Sequence, residues 1–182
     1  MIPETQSVVL TKKWLEDIVI GYGLCPFASK VYIEKGIGFK AISYSEKELL
    51  TAVNEIIEDI MSDDSPISTS LIIIEEGLQN FDDFLNVYYS LEEGVKQSGL
   101  SEDIQLASFH PKYLFAESTE ASPENYSNRS PYPIIHLLKV ADVSAAIDSH
   151  PDIHSVAPTN IAKLKSMGLA ALVKTWQEKG FV

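Results

Sequence analysis

Arg129 is the only arginine in a chain of 182 residues whose thirteen other basic residues are all lysine. It stands in NYSNRSPYP (Asn125–Pro133), directly before the apolar run IIHLLKV. A guanidinium presents a planar fork of N–H donors that matches a carboxylate or phosphate, and an ammonium does not reproduce it. Two readings follow. Arg129 clamps the anionic group of a small molecule, with Asn125, Asn128, Ser130, Tyr113 and Glu75 completing the binding set, or it pairs with an acid such as Glu75 to hold its loop.

The other residue types able to do chemistry are few. His110, in FHPKY, ends a strand pattern, and the proline after it keeps it extended. A neutral imidazole there suits general acid–base work or metal ligation, or it ties down a loop. His136 sits among Ile134, Ile135, Leu137 and Leu138, as a core histidine or as an accessory to the site. His150 and His154 have the i,i+4 spacing of a zinc pair, but Pro151 interrupts the helix such a pair needs. Cys25, in GLCPFA, is the single cysteine and a candidate nucleophile. Its place after a helix C-terminus raises a thiol pKa, and a small buried apolar cysteine is the alternative. Neither glycine-rich phosphate-loop pattern is present, nor the G-x-S-x-G elbow of serine hydrolases.

The elements that must position these residues can be read from periodicity. Thr11, Trp14, Leu15, Ile18, Val19 and Tyr22 form a helical stripe stopped by Gly21, Gly23 and Pro26. Residues 37–44 alternate as a strand, and Ser45 with Glu48 forms a capping box for a helix through Ile60. Leu71–Ile74 reads as a strand buried on both faces. Asn80 caps a helix that stops near Gly99, IQLASF is a third strand, and the run from Tyr132 to Val140 a fourth. Asp142 is placed as the cap of a short helix to Ile147. A last helix runs from about Thr159 through Ile161, Leu164, Gly168, Leu172 and Trp176. Strand–helix repeats of this length imply parallel strands joined by right-handed crossovers. The fourth strand follows a loop and is expected antiparallel, at an edge or inserted.

The stretch 110–131 is longer than the 12–15 residues or so of ordinary loops, and its aromatic residues predict that it is packed. It leaves the carboxyl end of the third strand, where open parallel sheets collect ligands. His110, Arg129 and Glu75 are therefore expected on one rim, with Cys25 close enough to share their pocket.

The net charge of −12 argues against nucleic acid and anionic membrane surfaces as partners and requires any anion to be met by a local positive site. No apolar run nears the roughly 20 residues of a membrane span, and the first residues do not read as a signal peptide. One cysteine suits a reducing compartment, so a cytoplasmic protein is expected.

Trp14 with LCPFA at Leu24–Ala28, FHPKYLF at Phe109–Phe115, and NRSPYPIIHLLK at Asn128–Lys139 together resemble a bacterial and plastid group, domain-of-unknown-function family 1415. The resemblance spans nearly the whole chain. It implies a shared fold and marks Cys25, His110, Arg129 and His136 as parts of the group's signature, and it implies no reaction.

The resulting expectation is one α/β (or α+β) layered domain over residues 1–182, with a mixed sheet of about four main strands and flanking helices. It binds a small anionic molecule at the carboxyl edge of the sheet, as an enzyme or a binding protein. His110, Cys25 and His136 are the catalytic candidates. The alternatives are a metal- or haem-binding module built on Cys25 and the histidines, and an interaction domain that docks through 110–131.

Overall fold

The structure is a computed structural model that describes residues 4–150 and 152–181. Residues 1–3, Val182 and Pro151, on which the reading of His150 and His154 turned, lie outside the described residues.

Thr5 starts the first helix, α1 (Gln6–Trp14), by accepting the Val8 N–H on its side chain. The helix runs without a break into a wider π-helical segment, Leu15–Ile20, which ends at the glycine-bearing turn that carries Cys25. A short helix, α2 (Ala28–Ile33), follows. β1 (Ile37–Ser43) leads to α3 (Glu46–Met61), whose cap Ser45 accepts the Glu48 N–H as the capping box requires. β2 (Thr69–Glu76) leads to α4 (Phe81–Gln97), whose cap Asn80 accepts two N–H groups, from Asp82 and Asp83. β3 (Ile104–Phe109) opens the long loop, which contains one 3-10 turn at Pro123–Ser127. β4 (Ile134–Lys139) follows, then α5 (Val140–Ser149), α6 (Ile153–Met167) and α7 (Leu169–Lys179).

The four strands lie in the order β1-β2-β4-β3. β1 and β2 are parallel, and β4 is antiparallel to both β2 and β3, so β2 and β3 run the same way with β4 inserted between them. Alternation divides the side chains. Ile72, Ile74, Ile104, Leu106, Ile135 and Leu137 face α3 and α4. Leu71, Ile73 and Ile134 face α1, the π-helical segment, α6 and α7. The result is a three-layer α/β domain. The four residues Leu71–Ile74 are at most 2% exposed. Each contributes about 1.5–3 kcal/mol by leaving water, which fixes β2 as the centre of both cores.

The C-terminal region departs from expectation. α5 begins directly after β4, with Lys139 at its cap position and Asp142 already inside the helix. The expected last helix is two helices, α6 and α7, broken at Gly168. Among the described residues, no helix is long and apolar enough to cross a membrane.

Candidate functional site

His110 and Arg129 sit on one rim of the sheet, at the carboxyl ends of β2 and β3. The His110 backbone N–H donates to the Asn128 carbonyl (3.1 Å), so the end of β3 and the segment before β4 are tied together. The Trp14 Nε1–H donates to the Arg129 carbonyl (3.0 Å), which anchors the same point to α1.

The Arg129 guanidinium lies over the Tyr126 ring, 4.5 Å from its centroid, and its Nη2 donates to the Glu120 carbonyl (3.2 Å). Tyr126 is itself buried and meets Trp176 edge-on at 4.7 Å. No ion pair among the described residues includes Arg129. Pairing with Glu75 is therefore not what holds it. The guanidinium instead borders an open cleft of about 510 Å³ lined by Asn80, Phe81, Asp82, Lys112, Glu120 and neighbouring residues. Sequence reasoning passed over Lys112 and Asp82. The helix cap at Asn80 was the available signal, since it brings the start of α4 to the same rim.

Several expected ligand contacts are used by the protein itself. Asn125 is fully buried. Its Oδ1 accepts from the Phe115 N–H and the Ser118 hydroxyl, and its Nδ2 donates to the Thr119 carbonyl. It is the hub that packs the long loop, because three of its four side-chain hydrogen-bond sites are filled from three points of one chain segment. Ser130 is equally buried and donates to the Tyr132 carbonyl (2.6 Å). Asn128 donates from Nδ2 to the Ser108 carbonyl (3.3 Å). Glu75 accepts the Ser7 hydroxyl (2.6 Å) near the start of α1. Tyr113 packs between Phe81 and Phe115, and burial pushes its phenol pKa up. These five residues build the rim, and only Arg129 of the expected binding set borders the cleft.

His110 is fully buried, with its ring between Phe81 and Phe84 at about 5 Å from each. Nδ1 accepts the Lys112 N–H (2.9 Å), so the neutral ring carries its proton on Nε2, which donates to the Leu78 carbonyl (3.0 Å). Burial lowers its pKa. A proton-transfer role for His110 would require breaking one of these bonds.

Cys25 and His136 are elsewhere. Both line an apolar pocket of about 210 Å³ on the α1 face of the sheet, together with Thr69, Leu71, Phe109 and Val143. His110 points to the opposite face, toward α4, so the expected grouping of His110, Cys25 and His136 in one site is corrected: the sheet stands between them. The cause is strand alternation. Residue 110 continues the face of Ile104 and Leu106, whereas His136 pairs across the ladder with Ala107 and Leu71 on the other.

The remaining alternatives also have their geometry. Among the described residues, no group of three or more His, Cys, Asp or Glu side chains gathers in a way that could hold a metal ion. Of the apolar residues that could form a docking face on and beside 110–131, Tyr126 is buried and Tyr132 half-buried, while Leu114 and Phe115 are exposed.

No curated protein and no solved structure matches the chain. The family described as "Protein of unknown function (DUF1415)" matches residues 6–174, the span that contains the rim, the long loop and the apolar pocket. The chain belongs to this DUF1415 family.

Proposed function

We propose that the protein binds a small molecule through a single carboxylate in the rim cleft, with Arg129 as the bidentate anchor and Lys112 as the second positive charge. One observation carries this reading: the only guanidinium of the chain is held in place by Tyr126 and the Glu120 carbonyl, yet has no carboxylate partner among the described residues. A guanidinium whose orientation is already fixed loses less freedom on binding than a lysine does. Asp82 and Glu120 line the same cleft, and the chain carries a net charge of −12. Polyphosphates are therefore disfavoured, and a monocarboxylate that also carries an amino or hydroxyl donor fits best.

The test is thermal unfolding with acetate, benzoate, glycine, glutamate and inorganic phosphate. A ligand at 100 times its Kd stabilises by about 2.7 kcal/mol, which is several degrees in a chain of this size. At least one carboxylate should raise Tm where phosphate does not. Arg129→Lys should keep the unliganded Tm and lose the shift, because charge survives while the fork is lost. The reading fails if no carboxylate stabilises the wild type, or if Arg129→Lys retains the full shift. A collapse of the unliganded Tm in Arg129→Lys would make Arg129 a brace for the loop.

A further inference from the structure

We infer that the apolar pocket on the α1 face is a second binding site, for a small uncharged molecule with an apolar body and one hydrogen-bond donor, received by His136 Nδ1. The hydrogen bonding around His136 defines the acceptor. Thr69 Oγ1 lies within hydrogen-bond distance of both His136 Nε2 and the Leu137 carbonyl. A hydroxyl has one proton, and the carbonyl can only accept it (2.7 Å). Thr69 therefore accepts from His136, the ring carries its proton on Nε2, and the lone pair is on Nδ1. That atom has no protein partner among the described residues, and it is not among the nitrogens sealed away from solvent.

The surroundings define the rest of the ligand. The pocket walls come from the π-helical segment (Leu15, Val19), the sheet (Leu71, Phe109, Leu138) and α5 (Val143), and they are almost wholly carbon. A cavity of about 150 Å³ lined by such residues admits benzene. The 210 Å³ found here admits a somewhat larger ring-sized molecule. Water is a poor occupant, because an ordered buried water takes about three hydrogen bonds and walls that are almost wholly carbon do not supply them. Lys139 and Asp142 both border the pocket, so neither sign of ligand charge is favoured. A wider cleft of about 620 Å³ shares Phe27, Val31, Ser68, Asp142 and Ala146 with the pocket and forms its vestibule.

The sole cysteine, Cys25, lines the same pocket and provides the readout. Full-length protein would be alkylated with iodoacetamide in the presence of phenol, toluene or benzoate. Phenol should slow labelling, toluene should need about tenfold more to match it for want of one hydrogen bond, and benzoate should not protect. In ¹⁵N spectra, phenol should move the His136 Nδ1 resonance and leave Nε2 in place. His136→Leu should erase the advantage of phenol over toluene. Arg129→Lys should leave phenol protection intact, which separates this site from the rim. Unchanged labelling with phenol overturns the inference, as does equal protection by toluene with a stationary Nδ1 signal.

Discussion

The Nδ1 lone pair of His110 accepts the Lys112 N–H while Nε2–H reaches the Leu78 carbonyl, so protonation would break the first bond and leave a charge against Phe81 and Phe84. His136 is neutral for a related reason with a different result. Burial alone pulls its pKa down from the ordinary 6.5 to about 4, and its ring borders the apolar pocket. The sign of the pH effect follows. Between those two values the unfolded chain takes up the proton and the folded one does not, so this stabilisation is complete above about pH 6.5 and is lost as pH falls toward 4. At about 1.4 kcal/mol per pKa unit, the loss is on the order of 3 kcal/mol. His136→Gln keeps an N–H for Thr69 and cannot titrate. Its Tm should fall less steeply than that of wild type between pH 7 and 4.5, as measured by calorimetry, and equal slopes would refute the assignment. Arg129 was conspicuous in the sequence because an isolated residue type needs no geometry to be noticed. Asn125 was misread as a ligand contact because its composition suits either role, and only its burial separates them.

The break between α6 and α7 shows why element boundaries are hard to read from pattern. Leu164, Leu172 and Trp176 all face the α1-side core, so the apolar stripe continues across Gly168 and periodicity does not register the interruption. The backbone does. Gly168 has φ 78° and ψ 153°, a region almost closed to residues with a Cβ. A Cβ there would meet nothing within 4 Å, so Gly168→Ala isolates the backbone term. Denaturant titration should show a loss of about 1–3 kcal/mol, and a neutral result would mean the two helices can fuse. α2 and α5 bury no residue completely, which left no stripe for periodicity to find. By contrast, the caps at Ser45 and Asn80 were legible because a side chain bonding its own helix start is a local event. The antiparallel β4 was legible from connection length, and its inserted position was one of two outcomes that topology allowed. Alternation along β3 and β4 puts His110 and His136 on opposite faces only once Ala107 is known to pair with His136, a register that the sequence does not supply. The place of Cys25 was not accessible either, because it depends on how a turn packs against the sheet.

Across the whole molecule, the two candidate sites are separated by the sheet's own geometry. The rim cleft has a mixed lining with charged side chains of both signs and opens at the carboxyl ends of β2 and β3, while the apolar pocket lies against the opposite face from α4 and reaches toward Thr69 and Lys139. The ligands proposed for them differ in charge, so occupancy of one would not imply occupancy of the other. One buried side chain touches both regions. Trp14 donates its indole N–H to the Arg129 carbonyl and meets Phe109, a wall of the apolar pocket, edge-on at 5.2 Å. The other tryptophan of the chain, Trp176, meets the Tyr126 ring that carries Arg129. The protein thus contains its own optical probe. Its intrinsic emission should change when a stabilising carboxylate reaches the rim, and Trp176→Phe should leave a signal from Trp14 alone. An emission spectrum that stays fixed while the same carboxylate raises Tm would place that ligand away from Arg129. With no dye, tag or label, a colour change lost with Trp176 reports from the Tyr126–Arg129 side, and one that survives Trp176→Phe reports from Trp14.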